Sequence, residues 1–241
     1  MYGTPKKKVF ADTEYFYKER KIMVTFEQIK KDKAIKTYIT KADESLSALG
    51  FTEHSFAHVM KVADTASELL LALGYSEREA ELAKIAGYMH DIGNLVNRVD
   101  HSLSGALMSF RLLDHMGMEA EEIAVIVTAI GNHDEGTGVP VSPMAAAIIL
   151  ADKSDVRRSR VRNTDEMNFD IHDRVNYSVI DSKLHLDTEK KEVRLTLKID
   201  TAVGSLMDYF EIFLGRMTLC RKAAEKLGLV FKLTINEQNF I

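Results

Sequence analysis

After about residue 160 the apolar residues of this chain no longer keep helical spacing throughout, and this change limits the folds open to it. Across residues 26–155 the apolar side chains recur every three or four positions, as in helices that bury one face. Beyond residue 180, Leu184 and Leu186 and then residues 193–199 alternate apolar with polar, as strands do. The pattern predicts a mainly α chain with a small C-terminal α+β part.

The helical region carries start and stop signals. Ser142 before Pro143 is a favourable helix start, because serine caps the first free N–H groups and proline tolerates the first helical position. Gly50, Gly74 and Gly117 are well placed to end helices. Together with the apolar spacing, these signals predict six helices, at residues 26–49, 52–73, 76–90, 100–116, 119–131 and 142 to about 155.

The C-terminal region is predicted to hold a β-hairpin with its turn at residues 187–191, a helix at 205–227 and a final strand at 229–236. The simplest assembly is a small antiparallel sheet covered by that one helix. We therefore divide the chain into a helical domain at residues 25–160 and an α+β subdomain at 161–241. Residues 1–24 precede them as an arm or extension.

Composition excludes several classes of protein. A net charge of −4 gives no bulk electrostatic affinity for nucleic acid, and no stretch of 18 apolar residues suggests a membrane span. A single cysteine, Cys220, rules out a disulfide framework and is consistent with a reducing compartment. We expect a cytoplasmic protein with no nucleic acid or membrane partner. For the N-terminus, an ordered arm, a flexible tail and an extension before an alternative start at Met23 remain open.

Histidine and aspartate side chains recur on the buried faces and at the ends of the predicted helices. A single histidine on an apolar face is more often a hydrogen-bonded core residue, but several in this arrangement reverse that expectation. A carboxylate that ends a buried apolar run, as Asp152 does, is costly unless a positive charge compensates it. Imidazole and carboxylate suit borderline divalent ions. The predicted metal ligands are His58, His90, Asp91, His101, His133 and Asp152, whereas His54, His115, His172 and His185 are interpreted as structural or surface residues.

Two metal ions can share this ligand set if Asp91 bridges them. His58, His90 and Asp152 would then complete one site, and His101 and His133 the other. Such a centre keeps a net positive charge that a phosphate would neutralise. A pair of ions about 3.5–4 Å apart can also lower the pKa of a bridging water and hold the oxygens of an in-line displacement.

These residues resemble the HD-domain metal-dependent phosphohydrolase superfamily, whose signature is a distant His, a His-Asp doublet and a later Asp on packed helices. The matching residues here are His58, His90 with Asp91, and Asp152. Residues 101–106 look like the His-x-x-x-Gly-Ala element of binuclear members. The resemblance spans roughly residues 50–160 and implies an HD-type helical bundle.

The chain also departs from the family pattern. Many members carry a lysine three residues after the doublet's Asp, where this chain has Asn94. Residues 132–140 are similar to an element of cyclic-dinucleotide phosphodiesterases but lack its first His and its Tyr, so we do not assign that subfamily. Lys153 after Asp152, followed by Arg157, looks closer to the symmetrical dinucleoside tetraphosphate hydrolases.

An arginine-rich segment follows the last predicted ligand, with four arginines in residues 157–162. The planar guanidinium matches phosphate oxygens, so this segment could hold the non-reacting end of a phosphorylated substrate. The alternative is a solvated turn paired with nearby acids, which are Asp165, Glu166 and Asp170. The predicted substrate-binding residues are Asn94, Lys153, Arg157 and Arg158.

The resulting functional prediction is a phosphohydrolase in which a metal-activated hydroxide cleaves a phosphomonoester or phosphoanhydride of a small nucleotide-like molecule. Asp91, His90 and Asp134 are the predicted catalytic residues, with the leaving-group proton coming from solvent, Asp134 or Glu135. Two divalent ions are expected, with manganese, iron, cobalt, magnesium and nickel not distinguished. A homodimer is possible. The alternatives are a diiron oxygenase using the same ligands and a nucleotide-sensing module without turnover.

Overall fold

The computed structural model describes residues 23–163 and 170–241. Residues 1–22, which make up nearly all of the predicted arm, lie outside the described residues, as do Asp165 and Glu166. The described helices are α1 (Phe26–Lys31), α2 (Lys33–Ala48), α3 (Phe56–Ala72), α4 (Glu77–Met89), α5 (His101–His115), α6 (Ala120–Gly131), α7 (Pro143–Lys153), α8 (Ile171–Ser178) and α9 (Leu206–Lys226). The strands are β1 (Val179–Asp187), β2 (Glu192–Ile199), β3 (Val230–Ile235) and β4 (Gln238–Asn239).

The predicted mainly α fold with a small C-terminal sheet is confirmed, and the helices begin where capping residues place them. Ser76 and Glu79 form a capping box at α4, and the Ser142 side chain accepts a hydrogen bond from the N–H of Ala145 at α7. The first predicted helix, residues 26–49, is interrupted at Asp32. Its carboxylate accepts a hydrogen bond from the N–H of Ile35, which starts α2 as a new helix.

The helical region buries a core shared by α1 to α7, and small residues let its helices approach closely. At Gly87 in α4, an added Cβ would lie 2.8 Å from the Cα of Ala63 in α3. This contact holds α3 against α4, so that His58 and His90 lie on adjoining faces. None of the helices in the described ranges is both long and apolar enough to cross a membrane.

The C-terminal sheet has the strand order β1-β2-β3-β4. The predicted hairpin is present, with β1 antiparallel to β2, but β3 runs parallel to β2, so the expected all-antiparallel sheet is wrong. The reason is the connection: α9 carries the chain back across the sheet, and a helical crossover returns the next strand in the same direction. Helix α8 and strand β4 were not predicted.

Helix α9 packs against α7 as well as against the sheet, and a second apolar core joins the two regions. This core contains Leu69 of α3 and Ile149 of α7 beside Phe213 and Met217 of α9. The C-terminal region therefore packs against α7, whose last turn contains Asp152. The division of the chain at residue 160 stays a proposal.

Candidate metal centre

The six predicted ligands meet at one place in the helical region. Helix α3 supplies His58, and the end of α4 supplies His90 and then Asp91. The first residue of α5 is His101, His133 follows α6, and Asp152 lies in the last turn of α7. Except for Asp152, which is partly exposed, all are buried: His58, His90, Asp91, His101 and His133.

Asp91 lies between two pairs of imidazoles. Its Oδ2 atom is 3.5 Å from Nε2 of His58 and 3.1 Å from Nε2 of His90. Its Oδ1 atom is 3.5 Å from Nε2 of His101 and 3.9 Å from Nε2 of His133. One carboxylate oxygen therefore faces each pair, which is the arrangement of a bridging ligand.

The remaining distances complete two ligand groups. Oδ1 of Asp152 is 3.4 Å from Nε2 of His58 and 3.8 Å from Nε2 of His90. In the other group, the Nε2 atoms of His101 and His133 are 3.1 Å apart. Imidazole and carboxylate ligands bind an ion such as zinc at about 2.0–2.2 Å, so donor atoms this close together can share one ion.

Each histidine is oriented by a hydrogen bond at its other ring nitrogen. A backbone carbonyl only accepts, so a ring whose Nδ1 faces a carbonyl carries its proton there and leaves the Nε2 lone pair free. The Nε2 atoms of His58 and His90 are buried without a hydrogen-bond partner, and a metal ion would supply one. The Nδ1 partners are Asp155 Oδ2 for His58 (2.8 Å) and the carbonyls of Gly87 for His90 (2.7 Å), Arg98 for His101 (3.1 Å) and Ile130 for His133 (2.6 Å).

The electrostatics of the metal-free centre also favour a cation. Burial and Arg160 act to lower the pKa of His58, but the carboxylates of Asp152, Asp155 and Asp91 around the ring raise this pKa to about 9. The centre thus attracts a proton onto a fully buried imidazole. A divalent ion would take the place of that proton and compensate the same carboxylates.

Asp155 was not predicted, although it lies three residues after Asp152 at the same helix end. It is fully buried, and its Oδ2 atom orients His58. Its Oδ1 atom accepts from Nζ of Lys61 at 2.8 Å and from Nε of Arg157 at 3.0 Å. Burial acts to raise the pKa of Asp155, but His58 and Arg160 hold it well below its ordinary value. A carboxylate behind a metal-binding histidine fixes the ring and raises its basicity.

We expect Asp155→Asn to weaken metal binding about 10- to 100-fold, because the amide keeps the shape but loses the charge behind His58. The measurement is a titration of the metal-free protein with manganese. Asp64→Asn is the control, since Asp64 lies on the same helix as His58, is partly exposed and pairs with Lys84. Equal metal affinities of the Asp155 variant and wild type would remove this role.

Of the predicted substrate contacts, the structure places Lys153 in the wall of the cavity and the others elsewhere. Asn94 is buried, and its amide donates to the carbonyl and to Oδ1 of Asp91, at 2.9 and 3.0 Å. Nε of Arg157 donates a hydrogen bond to Oδ1 of Asp155. Arg158 donates to the Tyr177 carbonyl at 2.6 Å. Asn94 therefore orients the Asp91 carboxylate.

A cavity of about 280 Å³ opens from the ligand cluster, with Asp91 and Asp152 at one end. Most of the other residues that line the cavity were not predicted from the sequence, because they come from segments far apart in the chain. His54 and His172, interpreted from sequence as structural or surface residues, both line it. The four basic side chains around it are Arg98, Lys153, Arg160 and Arg216.

A partly buried chain of charges connects the cavity to α9. Nζ of Lys153 lies 2.7 Å from both Oδ2 of Asp152 and Oε2 of Glu135, and Nε of Arg216 lies 3.0 Å from Oε1 of Glu135. Burial acts to raise the pKa of Glu135, but Lys153 and Arg216 hold it well below its ordinary value. Glu135 is therefore a fixed anion, which does not suit the donation of a proton to a leaving group.

Packed helices that bring buried imidazoles and carboxylates around one central aspartate define a helical domain whose His/Asp groups could hold a metal ion. Residues 55–157 match the family model described as HD domain, and this part of the chain is an HD domain. The chain is also 26% identical over 160 residues to a Methanocaldococcus jannaschii protein named "Uncharacterized protein MJ1020". That alignment covers 57% of this chain and 61% of the relative, so the chain spans less than two thirds of the relative's length.

Proposed function

We propose that this protein is a metal-dependent phosphohydrolase that cleaves a phosphomonoester or phosphoanhydride of a small, nucleotide-like molecule. The observation that carries the proposal is the position of Asp91, with one oxygen toward each of two imidazole pairs, in the lining of a cavity that four basic side chains also line. The HD domain supports the same reading, because the superfamily consists mostly of metal-dependent hydrolases.

The ligand groups divide between two divalent ions. His58, His90 and Asp152 would hold one, His101 and His133 the other, and Asp91 would contact both. When bound, such a pair acidifies a water molecule and stabilises the charge that develops on phosphoryl oxygens. The buried, unpartnered Nε2 atoms and the carboxylates around His58 fit this assignment.

The chain's own residues would bind and orient the substrate. A phosphate entering the cavity meets basic side chains contributed by both regions of the chain, Lys153 from α7 and Arg216 from α9. His172 and Asn176 of α8 also line the cavity, so the C-terminal region would contribute to the walls that limit the size of the substrate. The leaving-group proton would come from solvent or from Asp134, whose Oδ1 atom lies 3.9 Å from Nε2 of His101.

A screen of phosphate release tests the proposal. The protein would be loaded with manganese, cobalt, magnesium, nickel or iron and offered nucleoside mono-, di- and polyphosphates, sugar phosphates and cyclic dinucleotides. We expect metal-dependent release from at least one class, reduced at least about 100-fold in His133→Ala, because one ion loses a ligand. His115→Ala is the control, since His115 is exposed at the far end of α5.

Other outcomes would contradict the proposal. Turnover that requires iron and dioxygen without phosphate release would favour the diiron oxygenase. Tight nucleotide binding without any product, under every metal tested, would favour the sensing module. Absence of both binding and release across all of these compounds would exclude a phosphorylated substrate of the classes named.

A further inference from the structure

Arg98 lies beside the second ligand group, in the loop between the 3-10 helix Ile92–Leu95 and α5. Its side chain is partly buried and lines the cavity. Nη1 is 3.3 Å from Nε2 of His101 and 3.4 Å from Oδ1 of Asn94. The guanidinium also lies 5.6 Å from the centre of the Phe51 ring, at the edge of the cavity.

The contact with His101 is one that a bound metal would end. A guanidinium can only donate hydrogen bonds, so Nη1 interacts with the lone pair on Nε2 of His101. The Arg98 carbonyl accepts from the other nitrogen of that ring, which directs the lone pair toward the ligand cluster. Once a metal ion takes the lone pair, the guanidinium loses this partner and keeps only the long contact with Asn94.

The other basic side chains of the cavity are already neutralised. Lys153 contacts the carboxylates of Asp152 and Glu135, and Arg216 contacts Glu135. Arg160 lies 3.8 Å from an Asp155 oxygen and donates to two backbone carbonyls. Within residues 23–163 and 170–241, Arg98 has no carboxylate partner, so it is the cation of this cavity with its charge free for a ligand.

We propose that Arg98 binds the phosphoryl group of the substrate, on the side of the centre held by His101 and His133. This inference rests on the proposed function and assigns to it a binding residue. A guanidinium offers donors arranged for two phosphate oxygens at once, and charge-assisted bonds of this kind are about twice as strong as neutral ones. Asn94 stands at the position where many HD proteins carry a lysine, and it orients Asp91 instead of offering a positive charge. In this chain Arg98, four residues later, would supply that charge.

The test measures binding of inorganic phosphate to the metal-loaded protein by calorimetry, with bound metal counted in the same samples. We expect Arg98→Ala to weaken phosphate binding roughly 10- to 100-fold while the bound metal stays unchanged. In turnover, KM for the best substrate of the screen would rise. Arg98→Gln is the second variant, because it removes the charge but keeps a polar side chain that can contact Asn94. Arg111→Ala, an exposed site on α5, is the control.

The possible outcomes distinguish a failure of the Arg98 assignment from a failure of the proposed function. Phosphate affinity unchanged in both Arg98 variants would overturn the inference, while activity of the wild type would leave the proposed function standing. Loss of metal together with phosphate would mean that Arg98 supports His101, which also overturns it. A wild-type protein that is fully loaded with metal, yet neither binds phosphate nor releases it from any substrate, would refute the proposed function itself.

Discussion

Asp91→Ala is expected to abolish metal binding and turnover together, with a loss of activity of about 1,000-fold or more, equivalent to about 4 kcal/mol. The reason is geometric. No other side chain among the described residues places a carboxylate oxygen toward each of the two imidazole pairs, so both ions of the proposed centre would lose a ligand at once. Removing His133 alone affects one ion, and its effect should be smaller.

The measurement is metal content after purification without chelator, together with the rate of phosphate release at saturating metal. Asp114→Ala is the matched control, because Asp114 is exposed on α5 and has the same side chain. We expect it to retain full metal and full activity. An Asp91 variant that kept two ions per chain, or turned over at nearly the wild-type rate, would show that the centre is assigned to the wrong residues.

The ligand cluster could be predicted from sequence because helix periodicity fixes which residues share a buried face. His58 occupies the same stripe as Val62 and Ala66, and both are fully buried. His90 and Asp152 each lie at the C-terminal end of an apolar helix, where the chain leaves the core. Positions of this kind follow from local rules, and the six residues converge as expected.

The positions of the residues around the predicted ligands depend on side-chain direction and on packing between distant segments. The spacing of apolar residues in the sequence describes neither. Arg157, Arg158 and Arg160 are close in sequence but point to Asp155, to the Tyr177 carbonyl and into the cavity respectively. Nearness to Asp152 in the sequence therefore did not predict which of these arginines lines the cavity.

The local spacing of apolar residues also does not predict how the two regions pack against each other. Arg216 reaches the cavity only because α9 packs against α7, and no motif connects it to the HD segment. The direction of β3 was missed for a related reason. Alternation of apolar and polar residues identifies a strand but is the same whether its neighbour runs parallel or antiparallel.

The second large effect is expected on stability, at Gly93, two residues after Asp91. Here the N-terminal turn of α5 lies against the 3-10 helix: a Cβ on Gly93 would be 2.0 Å from the His101 carbonyl oxygen and 2.4 Å from the N of Gly105. Both obstacles are backbone atoms, so no side-chain rotation can relieve them. Gly105 is confined less severely, since its added Cβ would lie 3.2 Å from the His90 carbonyl oxygen.

Gly93→Ala should therefore lower the free energy of unfolding by about 3 kcal/mol or more, measured by urea denaturation of the metal-free protein. Gly215→Ala is the control, because Gly215 is inside α9 with no heavy atom within 4 Å of its added Cβ, and alanine there should stabilise by about 0.5–1 kcal/mol. Where Gly93→Ala still folds, α5 must move outward and carry His101 with it. Bound metal would then fall from two ions to one, whereas a variant as stable as wild type with both ions would mean that α5 does not need this close approach.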